Sequence, residues 1–222
     1  MAEIAMIKKD IILNDVLISR VSLAQPFHPK NPQIDSRTGQ PKVDKYHVDG
    51  VFPPTHPQFA ELQGVIRAVA ANAWNDKAQQ TLDMIKGNNQ RFCLQRGDQY
   101  RPGKPEYAGM LYVSAGNETQ PTIGFTKNGV NIFNRGTPTM ATPADDMWPY
   151  AGSKCNLHLQ FYTYEFGNSP GMGCGLLGVQ FFEHGTRLSG QTVSSGKEFG
   201  LVLGQADKAP PASTSAPGGG LI

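Results

Sequence analysis

Cysteine is scarce: Cys93, Cys155 and Cys174 are the only three in 222 residues. They are too few and too scattered for a disulfide framework, and small apolar thiols of this kind are commonly buried, which fits a reducing cytoplasm. Long apolar runs are missing too. None approaches the ~20 residues that span a bilayer, and Glu3, Lys8, Lys9 and Asp10 break up the N-terminal apolar groups, so no signal-peptide core is expected. Charge is thin, at 17% of residues with a net of +2, so bulk electrostatics points to no partner. With 17 prolines and 25 glycines a helical bundle is excluded, and a loop-rich, mainly β domain is expected.

Chemistry-bearing clusters are equally sparse. Cys155 and His158 have metal-like spacing, but zinc needs three or four ligands and nothing completes the set. Asp145 and Asp146 are adjacent, with no third carboxylate at a spacing that would suit a two-metal nuclease. The run Gly171-Met172-Gly173-Cys174-Gly175 lacks both the spacing and the following Lys-Ser/Thr of a phosphate loop, so it reads as a tight bend in a barrel strand. No catalytic residue, metal or cofactor is expected.

What is present is distributed unevenly. Residues 1–85 carry equal numbers of acids and bases, whereas residues 86–135 carry seven Lys/Arg against three Asp/Glu, a local excess of +4. Such a patch suits a polyanion.

Alternation and breakers predict a first strand over Ile11 to Phe27, with Val16, Ile18 and Arg20 opposite Leu17, Ser19 and Val21, and a second over 45–52, ending at Pro53-Pro54. Thr55-His56-Pro57-Gln58 has a capping-box pattern, and Phe59, Leu62, Ile66, Val69 and Ala73 recur at helical spacing. A weaker helical stretch continues to Ile85 before Gly87. Further strands are expected over Arg91 to Gln95, Tyr107 to Ala115, Thr122 to Phe133 with a turn at Asn128-Gly129, Asn156 to Phe166, and Val179 to Phe182. The 156–166 strand alternates cleanly. Leu157, Leu159, Phe161 and Thr163 take the core face; His158, Gln160, Tyr162 and Tyr164 take the other.

Aromatic residues are interleaved with basic ones. The candidate nucleic-acid-binding set is Lys45, Tyr46, Arg91, Arg96, Arg101, Lys104, Tyr107, Tyr112, Trp148, Tyr150, Lys154, Tyr162 and Tyr164. Aromatic faces stack with unpaired bases for about 1–3 kcal/mol each, while Lys and Arg follow the phosphates.

The chain resembles a family of tailed-phage single-stranded-DNA-binding proteins. The resemblance is carried in order by Arg20-Val21-Ser22 before Pro26-Phe27, Lys45-Tyr46-His47-Val48, Arg96-Gly97-Asp98, Pro105-Glu106-Tyr107-Ala108-Gly109, Pro149-Tyr150-Ala151-Gly152, Phe161-Tyr162-Thr163-Tyr164 and Gly175-Leu176-Leu177-Gly178. It implies a five-stranded OB-fold barrel with long loops and a helix between early strands, spanning 1–204. It also implies coating of single-stranded DNA in phage replication and recombination; annealing is expected as an added role, and the lack of a signal-peptide core places the protein in the host cytoplasm. Further partners would be phage replication or recombination proteins, and no membrane is involved. Residues 205–222, rich in Pro, Ala, Ser and Gly, are expected to be a disordered tail. That tail has only Asp207 against Lys208, which departs from the acidic termini common among proteins of this kind. The rival reading is a β-rich structural virion protein.

Overall fold

The computed structural model describes residues 8–28, 43–127, 130–134, 146–166 and 169–188. The 205–222 tail, the boundary placed at 204, most of the Pro-rich loop after Pro26, the turn residues 128–129 and Asp145 lie outside them.

Among the described residues eight strands form one sheet: β1 (Lys9–Phe27), β2 (Lys45–Phe52), β3 (Leu94–Arg96), β4 (Leu111–Asn117), β5 (Thr122–Lys127), β6 (Val130–Asn134), β7 (Lys154–Phe166) and β8 (Ser169–Glu183). β4, β2, β1, β7 and β8 follow one another antiparallel, and the parallel pairing of β4 with β8 at Gly116 and Gly175 closes them into a barrel. This is the Greek-key order of the expected OB-fold. β5 extends β8 in parallel and β6 extends β5, while β3 borders β4.

Strand β1 is long enough to need bends, and two bulges supply them. Asp15 and Arg20 have φ near +49°, and the ladders shift between Leu13 and Val16 and between Ser19 and Ser22. Each bulge changes which parity faces inward. The buried set therefore runs Ile11, Leu13, then Val16, Ile18, then Leu23. The alternation that put Arg20 on the side of Val16 and Ile18 is thereby corrected: Arg20 reaches the outer face.

Leu157, Leu159 and Phe161 of β7 are fully buried, as the alternation predicts, each side chain contributing roughly 1.5–3 kcal/mol. Across the ladder Met172, Cys174 and Leu176 join the same core; a bulge at Leu177 then hands the inward role to Val179. The glycine-rich run is thus the interior of a 15-residue strand, not a bend before a short one.

The helix after β2 is α1 (Phe59–Trp74), which turns Leu62, Ile66, Val69 and Ala70 into the core against β1 and β7. Its N-terminus corrects the capping-box reading. Gln58 is the N-cap and makes no side-chain cap bond; instead its Oε1 accepts from Asn14 N at 2.8 Å and its Nε2 donates to Ile12 O at 2.9 Å, fastening the helix to β1 at the first bulge. Asn75, with φ of 48°, interrupts the helix before α2 (Ala78–Ile85). Strand β4 starts later than the sequence suggests because Pro105–Tyr107 is a 3-10 turn followed by Gly109 at φ +69°. Residues 91–93 pair with β8 through Cys93 N to Met172 O (3.1 Å) and Met172 N to Arg91 O (2.7 Å).

Candidate nucleic-acid interface

An open groove of about 1000 Å³ runs over the outer face of the barrel where β7, β8 and the 89–93 segment meet the ends of β2 and β4. Its aromatic wall is made by Tyr162 and Tyr164, on the strand face opposite Phe161. Each stands across the ladder from a glycine, Gly173 and Gly171 respectively. A Cβ on Gly173 would lie 2.6 Å from Tyr162 Cζ, and one on Gly171 would lie 2.4 Å from Tyr164 Cζ. Both rings therefore lie down on bare backbone, in the manner by which aromatics cover strand glycines. Tyr164 also donates its hydroxyl to Gln90 O at 2.7 Å. The two ring centroids are 6.5 Å apart. Burial raises both phenol pKa values, so neither ring carries negative charge at neutral pH.

Arg91 and Lys45 supply positive charge to this groove. Arg91 is partly committed, donating to Ser169 O at 3.0 Å, while the exposed Lys45 ammonium faces the exposed Glu118 at 3.5 Å. Exposed pairs of this kind contribute little and exchange easily. Ser114 and Gly116 of β4 line the groove as well.

The same outer face continues along β2. His47 pairs with Gly116 and Asp49 with Ser114, so the face runs from the groove to a buried charge. Asp49 is fully buried, and its Oδ2 accepts from Tyr107 Oη at 2.8 Å and meets Arg101 at 3.3 Å and Arg20 at 3.6 Å. The Arg101 guanidinium lies 5.0 Å from the Tyr112 ring centroid, and Tyr112 meets Tyr107 edge-on. Burial is the largest influence on Arg101 and lowers its pKa, but Asp49, Tyr112 and Tyr107 together raise it and the net shift is upward. Burial, then Arg20, lower the His47 pKa.

Of the thirteen candidates, Lys45, Arg91, Tyr162 and Tyr164 come together in the groove. Tyr107 and Tyr112 are 1% and 2% exposed, which corrects the expectation of base platforms: their rings make a small second core with Val51, and a buried carboxylate claims the Tyr107 hydroxyl. Arg101 sits on that core. Tyr46 is half-buried and falls on the Val48 side of β2 by alternation. Trp148 and Tyr150 pack on Phe125 and Phe181 instead of the groove, and Tyr150 is covered by Arg187 at 4.1 Å. Lys154 is paired with Glu183 at 3.1 Å and Asp15 at 3.5 Å. Arg96 lines a separate pocket with Phe59 and Met110, and Lys104 is exposed before the 3-10 turn.

Sequence reasoning did not single out as candidates Arg20, His47, Asp49, Ser114 or the two glycines beneath the tyrosines, which the structure brings to this face. The spacing of Gly171 and Gly173 against Tyr164 and Tyr162 was the available signal. Among the described residues no group of three His, Cys, Asp or Glu is placed to hold a metal, and burial pushes the Cys155 pKa up to about 12.

Comparison with known proteins bears on the fold and the family. The chain is 32% identical over 157 residues to protein p50 of Acyrthosiphon pisum secondary endosymbiont phage 1, covering 70% of this chain and 78% of that one. The single-stranded DNA-binding protein of bacteriophage Enc34, solved in complex with single-stranded DNA, superposes with a TM-score of 0.56 at 17% identity over 81% of this chain and 89% of that one. Its C-terminally truncated form gives 0.56 at 17% identity, over 80% and 87%. At such identity the two structures establish the fold. The family model described as the single-stranded-DNA-binding protein of Enterobacter phage Enc34 matches residues 9–209, and the chain therefore belongs to that family of phage proteins.

Proposed function

We propose that this protein binds single-stranded DNA in the Tyr162–Tyr164 groove with little sequence preference, coating and protecting it during phage replication and recombination in the host cell and assisting annealing of complementary strands. One observation carries the reading: two aromatic rings, each backed by a glycine, turn their other faces to an open groove that Arg91 and Lys45 line. Bases of any identity present a face to such rings, and the cations meet the phosphates. The membership of the family supports it, as does the Enc34 protein of the same fold solved with single-stranded DNA. Stacking and ion pairing suffice, so the reading requires no catalytic group, metal or cofactor.

Purified protein titrated into labelled single-stranded oligonucleotide and into duplex tests the proposal and separates it from a structural virion role. Single-strand binding should weaken with salt at a log–log slope of roughly −1.4 to −2.8, the value for two to four phosphate contacts. No binding, or binding indifferent to salt, would contradict it.

A further inference from the structure

Strand β2 carries the outer face beyond the groove, through His47 opposite Gly116 to Asp49 opposite Ser114. We propose that Arg20 and Arg101 form a phosphate seat further along the same face, and that the buried carboxylate of Asp49 is the positioning residue that aims them; this rests on the single-strand reading above.

Three observations lead there. First, the residues are contiguous with the groove: Asp49 is the ladder partner of Ser114, a groove residue, and His47 the partner of Gly116. Arg20, Asp49 and Arg101 all act electrostatically on His47. Second, the two arginines do not pair with Asp49 as they would if the ion pair were an end in itself. Both meet the same oxygen, at 3.3 and 3.6 Å, and among the described residues Asp49 Oδ1 has no hydrogen-bond partner. The fork-to-fork arrangement that arginine and carboxylate prefer is absent. Two guanidinium groups on one carboxylate leave a positive charge over, with the Arg20 and Arg101 side chains 45% and 23% exposed. Third, Arg20 reaches this place through a left-handed backbone, φ 49°, a conformation unfavourable for a non-glycine residue. Without that bulge its side chain would take the parity of Val16 and Ile18.

A full negative charge beneath a DNA-binding face is otherwise counterproductive, because it repels phosphate. Its burial is also expensive unless it is paired. As a holder it makes sense: Arg101 is clamped between the Tyr112 ring and Asp49, so little side-chain freedom remains to be lost when a phosphate arrives. The seat reads no base, in keeping with binding of low sequence preference.

The test turns on a sign. Asp49→Asn makes the protein more positive, so plain electrostatics predicts tighter binding, whereas a positioning role predicts weaker binding. Labelled oligothymidylate is titrated across a salt series with the full chain and with Asp49→Asn, Arg20→Gln, Arg101→Gln and Arg101→Lys, each checked by thermal unfolding. We expect each Arg→Gln change to weaken binding roughly 3- to 10-fold and to flatten the salt slope by about 0.7. Folded Asp49→Asn should also bind more weakly, and Arg101→Lys should keep the slope but lose affinity. Should Asp49→Asn not fold, Arg20→Gln and Arg101→Lys decide. Unchanged affinity and slope in the arginine variants, or tighter binding by folded Asp49→Asn, would overturn the seat. Tyr162→Ala/Tyr164→Ala in the same series reports on the groove itself, so failure of the seat and failure of the single-strand reading are distinguishable.

Discussion

Tyr162 and Gly173 face each other across the β7–β8 ladder, and the tyrosine ring occupies the space that a side chain on residue 173 would fill, 2.6 Å from the missing Cβ to Cζ. Gly173→Ala therefore displaces the ring without altering a groove side chain. The obstructing atoms belong to the far end of a side chain, so stability should fall by no more than about 1–2 kcal/mol, whereas single-strand affinity should drop roughly 5-fold or more as one stacking face is lost. Fluorescence anisotropy with oligothymidylate beside a thermal melt checks both.

His47 makes binding depend on pH. Burial and then Arg20 lower its pKa, with Arg101 acting the same way and Asp49 opposing, so the folded protein resists protonating this ring more than the unfolded chain does. A phosphate drawn to this face favours the protonated ring, and binding then takes up a proton. Affinity should accordingly rise as pH falls from neutral into mild acid, and His47→Gln should flatten the profile. Fold stability moves the opposite way. The unfolded chain protonates His47 near 6.5 while the folded chain resists, so this residue costs stability as pH falls through that value. Anisotropy and unfolding measured between neutral pH and mild acid check the two signs.

Tyr107→Phe removes the hydroxyl that donates to Asp49 at 2.8 Å and leaves a buried carboxylate with one partner fewer. A hydrogen bond to a charged group is worth about 1.5–3 kcal/mol, and urea unfolding should show a loss of that size. Because Tyr107 is buried beneath the face, stacking at Tyr162 and Tyr164 should be unaffected.

Two glycines separate stability from binding. Gly64 lies in α1 with nothing within 4 Å of a built Cβ, so Gly64→Ala should stabilise by roughly 0.5–1 kcal/mol. Gly152, at φ +107°, would place a Cβ 1.9 Å from Thr186 O, and Gly152→Ala should destabilise by several kcal/mol. Differential scanning calorimetry reads both, and folded Gly64→Ala should bind oligonucleotide as the parent does.

Much of the barrel could be read in advance because its periodicity is strong. The Leu157, Leu159, Phe161 series and the Leu62, Ile66, Val69 series bury the residues their spacing selects. Strand β1 was misread beyond Ile18 because bulges at Asp15 and Arg20 reverse parity, and a bulge leaves no mark in an alternation. The 171–175 run looked like a bend because glycine weakens an isolated strand; here the rings across the ladder supply the missing packing. Tyr107 and Tyr112 looked like platforms because a buried aromatic beside arginine has the same local sequence as an exposed one. Their environment is set by Asp49, 58 residues from Tyr107 in sequence, and no local pattern announces that pairing. The outer placement of Tyr162 and Tyr164 was legible because the opposite face of the same strand already supplies core residues.

Whether the paired tyrosines hold single-stranded DNA is read from the titration of labelled oligothymidylate with the parent and with Tyr162→Ala/Tyr164→Ala. Two stacked bases at about 1 kcal/mol or more each imply affinity weaker by roughly 30-fold or more in the double variant, with a cooperative thermal transition retained. Equal affinity in two folded proteins would contradict the account and return both tyrosines to the role of packing over glycine.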